Sequence, residues 1–259
     1  MTFTMWSLGH YLFILSPFVF WMGLHFLLND KPEHDKRKYG VLFSVIGIVI
    51  LLFRNIEIFV LRGFVFHFEL VPLQICHFAN FVLLFAFLKN NKTLFAFAWL
   101  FNLPAAFMSI VFANGLENYA TLVTFQGFAY ISGHMLIVSL TLWAFSSGFV
   151  VLSKRILYRL YVILVPLYVL AHGVNLFFRA VLNSDSNYFY TMRPESGTPL
   201  ELFYTMGTTY QSGALEINPV YLALTGIFGL VVTLIMFLLT FYAQKTEEQL
   251  TSEQLTQKG

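Results

Sequence analysis

A chain of 259 residues in which 58% are hydrophobic and only 11% charged departs from the ordinary soluble domain, where about one-quarter of residues are charged. The net charge of +2 gives no basis for nucleic-acid binding, and the single cysteine excludes an internal disulfide or a thiolate zinc site. Apolar runs of about twenty residues recur along the whole length, the pattern of an all-α, polytopic membrane helix bundle.

Seven transmembrane helices are predicted, over 6–28, 39–62, 71–88, 93–114, 126–151, 158–182 and 217–243. The first lacks a basic leader and a small-residue cleavage site, so it reads as a span and not as a removable signal. Pro17, Pro104 and Pro166 fall inside spans, where neighbouring helices can take up the backbone groups they free. The first connection carries Lys31, Lys36, Arg37 and Lys38, the third Lys89 and Lys92, the fifth Lys154, Arg155 and Arg159, and the tail Lys245 and Lys258. The alternate connections hold few cations, Arg193 being the clearest. An odd number of spans puts every cation-rich segment on one side, which predicts an outside N-terminus and a cytoplasmic C-terminus. Asn91-Lys-Thr93 matches a glycosylation acceptor but falls on that cytoplasmic side, so it is set aside. Residues 1–243 thus form one transmembrane domain, with an extracytoplasmic loop at 183–216 longer than a plain connection needs. Residues 244–259 read as a polar, frayed cytoplasmic tail. No strong internal repeat of the kind that builds inverted-repeat transporters is visible.

The polar residues inside the spans cluster. In the third span, VPLQICHFAN (71–80) places Cys76, His77 and Asn80 on one arc of a helix. In the fifth, Gln126, Tyr130, His134 and Thr141 share a face. In the sixth, Tyr168, His172, Asn175 and Arg179 do the same. Arg54 and Glu57, three apart in the second span, are spaced to pair within their helix. At 1.5 Å per residue, Cys76 and His77 lie roughly 8 Å, Arg54 and His134 roughly 12 Å, and His172 roughly 15 Å below the outer ends of their helices. Ionisable groups in hydrocarbon are costly and normally face a bundle interior or a wet cavity. Four helices bringing such groups to a similar depth predict one polar cavity opening toward the outer face.

Each group has a structural reading beside the functional one. Cys76 is either a small buried hydrophobe or a nucleophile supported by nearby imidazoles and by the N-terminus of a helix that begins after Pro72. His134, His172 and Asn175 either join helices by hydrogen bonds or serve the cavity. The sequence has no Walker-type loop, HExxH, GxSxG or paired CxxC, and acidic residues are nearly missing from the spans, unlike proton-driven carriers.

LPLQICHFANF-like, GHMLIVSLTLW, HGVNLFFR and NYFYTMRP segments occur here as VPLQICHFANF at 71–81, Gly133–Trp143, His172–Arg179 and Asn187–Pro194. In this order and spacing they resemble the YwaF-like bacterial integral membrane proteins, relatives of an animal transmembrane cysteine-dependent phospholipid acyltransferase. The resemblance implies that Cys76 accepts an acyl group, that His134 is its base, and that Asn175, Asn187 and Tyr188 belong to the same region. It implies no cofactor, a membrane phospholipid or lysolipid as partner, and a place in the bacterial cytoplasmic membrane. His77 stands where the family tends to have an acidic or amide residue. Arg54, Glu57, His77, Asn80, His172 and Asn175 complete, with Asn187 and Tyr188, the candidates for substrate or oxyanion binding. The competing expectation is a transporter or binding protein holding a small polar or lipid-like ligand in the same cavity without covalent chemistry.

Overall fold

A computed structural model describes residues 3–118, 121–213 and 215–258. Seven of its helical segments are long and apolar enough to cross a membrane. They are α1 (Leu8–Leu28), α2 (Glu33–Leu61), α3 (Ile75–Lys89), the pair α4 (Lys92–Phe97) and α5 (Leu103–Val111), α6 (Phe125–Ser146), α7 (Lys154–Leu182) and α9 (Pro219–Lys258). A π-turn over Ala98–Asn102 joins α4 to α5, and a short α8 (Leu200–Thr205) lies in the connection between α7 and α9. That connection also holds an antiparallel pair of three-residue strands, β1 (Tyr210–Ser212) and β2 (Leu215–Ile217).

The boundaries differ from the sequence expectation where local chemistry intervenes. The third span enters through a 3-10 turn at Phe68–Leu70, and Pro72 delays regular α-helix until Ile75. The fifth span stops at Ser146, ahead of Gly148, whose φ of +79° suits a residue without a side chain. The last helix continues through Lys258, so the polar tail forms helix over those residues where the sequence predicts a frayed end. Asn91, the residue of the glycosylation-like triplet, caps α4 by accepting from the amides of Thr93 and Leu94.

Lipid tails are as apolar as leucine, so close packing and interhelical hydrogen bonds hold the bundle together. About half of the apolar window of the α4–α5 segment (50%) and of α6 (56%) is buried, against 17–28% for α1, α2, α7 and α9. The α4–α5 segment and α6 are therefore the centre, α3 is intermediate at 33%, and α1, α2, α7 and α9 present most of their surface outward. Aromatic packing fills that centre: Phe87 contacts Phe95, Trp143 and Phe149, and Trp99 stacks on Phe145 at 4.1 Å between centroids. Trp99 also donates from Nε1 to Thr240 Oγ1 at 2.9 Å, tying α9 to the core.

On α2 the buried positions Gly40, Ser44, Gly47 and Leu51 recur at helical spacing, a small-residue stripe that lets α3 approach. A Cβ at Gly40 would overlap the Phe87 ring, and one at Gly47 would overlap Asn80 Oδ1. The proline at position 17 removes the amide that would bond the Phe13 carbonyl, and Ser16 Oγ donates to that carbonyl instead, at 2.8 Å. The Pro17 carbonyl is bonded by Ser139 Oγ from α6 at 2.9 Å.

At the end of the bundle opposite the lysine-rich connections, residues 187–193 form a woven plug. Asn175 of α7 accepts from Tyr188 N at 2.8 Å and donates to Tyr188 O and Thr191 Oγ1 at 2.9 and 2.8 Å. Asn187 accepts from the amides of Met192 and Arg193 and donates to the Arg193 carbonyl. The Tyr188 hydroxyl donates to the Phe68 carbonyl. Phe189 and Tyr190 both have positive φ, 56° and 53°, a backbone that non-glycine residues hold only when neighbours enforce it.

Candidate active site

Cys76 sits in the first turn of α3, where the chain has just left the Pro72 turn. Its thiol lies within hydrogen-bonding reach of His134 of α6 and 3.9 Å from Ser109 Oγ of α5. His134 Nδ1 is 2.6 Å from the Tyr130 carbonyl one turn earlier. A carbonyl only accepts, so Nδ1 carries the proton and Nε2 remains as the ring's acceptor. The pairing follows from the helical positions: Tyr130 and His134 are one turn apart on the face of α6 that meets α3. Tyr130 is itself anchored, donating its hydroxyl to the Ser109 carbonyl at 2.8 Å.

These groups border a cavity of about 70 Å³ walled by α2, α3 and α6. Cys76, His77 and Asn80 line it from α3, Arg54 and Gly47 from α2, and Gln126 with His134 from α6. Asn80 donates to the Cys76 carbonyl at 3.2 Å, and its Oδ1 packs where a side chain at position 47 would be. His77 Nδ1 has no hydrogen-bond partner in the protein. Among the described residues no group of three or more His, Cys, Asp or Glu is placed to hold a metal ion.

Two sequence expectations need correction here. Arg54 does not pair with Glu57. Its guanidinium bonds Glu69 across the α2–α3 connection, at 2.7 Å to Oε2 and 3.0 Å to the carbonyl, and also Asn55 Oδ1 at 3.1 Å. Glu57 instead accepts from the first amides of α6, Phe125 N at 3.2 Å and Gln126 N at 2.8 Å. A carboxylate at a helix N-terminus meets unpaired donors and the positive end of the dipole, which an i, i+3 arginine cannot outbid when Glu69 is available.

The second correction concerns the single polar layer. The α7 face does not reach the cavity. Tyr168 donates to the Leu222 carbonyl of α9 at 2.9 Å, Asn175 is consumed by the plug, and Arg179 Nε bonds the Ser186 carbonyl at 3.0 Å. His172 is half-exposed and its Nδ1 has no partner in the protein. Asn175, Asn187 and Tyr188 therefore build the plug rather than line the cavity, and Thr141 only bonds the Ile137 carbonyl of its own helix. Sequence reasoning missed Glu69, Ser109 and Gly47. Nothing in local spacing marks them, because each matters through a neighbour distant in the chain.

Outside the spans, burial holds the hydroxyl of Tyr190 and the carboxyl of Glu195 in their protonated forms to higher pH than usual. Burial, partly offset by Glu69, holds the His67 imidazole below its ordinary value.

Fold and cavity define a seven-span membrane protein with a cysteine–histidine pair enclosed near one end of its bundle. The chain belongs to the TMEM164 family, whose model matches residues 3–246. No curated protein and no solved structure matches it.

Proposed function

We propose that the protein is a membrane lipid acyltransferase that carries a fatty acyl chain between phospholipids or lysolipids as a thioester on Cys76. The observation that carries this reading is the thiol set against His134, with Nδ1 tied to the Tyr130 carbonyl so that Nε2 is presented as the base. The order of VPLQICHFANF, GHMLIVSLTLW and NYFYTMRP, similar to the YwaF-like proteins and their animal acyltransferase relative, supports the same chemistry.

The steps balance as a ping-pong exchange. His134 takes the thiol proton as Sγ attacks the ester carbonyl, and a tetrahedral oxyanion forms. The carbon–oxygen bond breaks, His134 returns the proton to the leaving alkoxide, and a lysolipid departs. A second lysolipid hydroxyl then gives its proton to His134 and attacks the thioester, which releases Sγ to recover that proton. His77, with an unpartnered ring nitrogen, and Asn80, whose Nδ2 bonds the Cys76 carbonyl and keeps a second N–H, are the oxyanion donors the cavity favours. Asn175 is not one, since both its donors and its oxygen are spent in the plug. With the N-terminus outside, the cavity lies in the outer half of the bilayer and draws lipid from that leaflet.

Intact mass spectrometry of the purified protein is expected to show a hydroxylamine-sensitive acyl adduct, lost in Cys76→Ser. Exchange of a labelled acyl chain between phospholipid and lysolipid in proteoliposomes should fall by about 10²–10⁴ in His134→Ala. Survival of exchange and of the adduct in Cys76→Ser defeats the reading, and ligand uptake retained in that variant favours the transporter.

A further inference from the structure

We propose that the seam between the α2 and α6 ends nearest Cys76 is a lateral door for lipid, with Phe53 and Phe125 as its two leaves and Glu57 as its latch. The inference rests on the reading of the cavity as a lipid site. It starts from volume: about 70 Å³ holds roughly two water-sized groups. An ester carbonyl fits beside Sγ, but the chain and backbone attached to it need more room than this volume gives, so a bound lipid has to widen one side of the cavity.

The walls are unequal. Toward the bundle end, the plug is packed and hydrogen-bonded, and Tyr188 and Phe189 lie buried against Phe68, Leu73 and Ile75. Toward the bundle centre, Ser109 and Tyr130 are joined and the α3–α6 contact is lined by buried residues such as Leu83 and Ile137. The α2–α6 wall carries exposed apolar side chains directly outside the cavity lining. Arg54 and Gln126 line the cavity, and the residue before each, Phe53 and Phe125, turns to the bilayer with 47% and 51% of its surface exposed. Those two rings stack across the seam at 5.4 Å and 18°.

One turn beyond Phe53 on the same face, Glu57 bonds the Phe125 and Gln126 amides. Stack and latch therefore both hold Phe125 at the start of α6. Deeper along the seam, Gly133 lines the cavity with no side chain of its own, and a Cβ there would meet nothing within 4 Å, so α6 leaves room at this level. An unbranched acyl chain is the ligand such a slot admits: narrow, apolar, and continuous with the hydrocarbon outside.

Cys76 is the chain's only cysteine, so thiol labelling reports on this cavity alone. In proteoliposomes, N-dodecylmaleimide is expected to modify Cys76 faster than a charged maleimide of similar reactivity. Glu57→Ala and Phe125→Ala, each removing one closing contact, should raise the dodecylmaleimide rate by about tenfold and leave the charged reagent's rate within about twofold. Phe53→Leu, a milder change that keeps an apolar side chain, provides the same test if an alanine variant loses its thermal transition. The door is overturned if the two reagents label wild type equally fast, or if the dodecylmaleimide rate is unchanged in the folded variants. Labelling needs no turnover, so the two readings fail separately. A door response without any hydroxylamine-sensitive adduct removes acyl transfer alone, and an adduct without a door response removes the door alone.

Discussion

Gly47 offers a sharp test of how the cavity is built. A Cβ there would overlap Asn80 Oδ1 and stand 3.3 Å from its Cγ, and Asn80 is buried, with the small cavity on its other side. Restoring van der Waals distance requires Asn80 to move by ~1 Å, against an ordinary separation of about 3.5 Å. That shift breaks the bond to the Cys76 carbonyl, about 1 kcal/mol, and overpacks the α2–α3 contact, about 1–3 kcal/mol. Gly47→Ala is therefore expected to cost about 1–3 kcal/mol, after about 1 kcal/mol is returned by alanine's better helix propensity. Gly133→Ala lines the same cavity but meets open space, so it should be neutral or slightly stabilising. Thermal unfolding in detergent, with the pair Gly47→Ala and Asn80→Ala measured singly and together, checks the origin of the effect. Removing the Asn80 side chain should erase most of the Gly47→Ala penalty, a coupling of at least about 1 kcal/mol. Equal stability of the two glycine variants, or strictly additive effects in the cycle, would refute this account of the packing.

Three further outcomes follow from the geometry. Arg54 and Glu69 should couple in a double-mutant cycle by about 1–3 kcal/mol, moderated by the partial exposure of Glu69, whereas Arg54 and Glu57 should be additive. Asn175→Ala, which strands the buried Tyr188 amide and frees two acceptors, should cost about 2–4 kcal/mol and open 187–193 to protease, with Tyr188→Phe costing nearer 1 kcal/mol. His67 has a folded pKa below its unfolded value, so the native state binds fewer protons; its contribution is complete above about pH 6.5 and is lost as the pH falls. Amides over 64–71 should then lose hydrogen-exchange protection between about pH 7 and 5, beyond the intrinsic rate change, and His67→Phe should flatten that dependence.

Seven spans were legible from the sequence because hydrocarbon thickness and backbone hydrogen bonding leave helices of about twenty apolar residues as the only economical solution. The arc of Cys76, His77 and Asn80 was legible for a similar reason: positions one turn apart share a face wherever the helix is regular. Partnerships were not. Helical period gives the direction of a side chain around its own axis but not which neighbour stands there. Arg54 thus looked paired with Glu57 three residues away, when Glu69 and the amides at the start of α6 were the better partners in space. The α7 stripe was equally periodic, yet the fold turned it onto α9 and the plug instead of the cavity. Depth and face were properties of single helices, and one sequence determined them. The meeting of the Cys76 thiol with His134, and the room Gly47 leaves for Asn80 beside it, belonged to the packing of α2, α3 and α6, which only the tertiary structure decided.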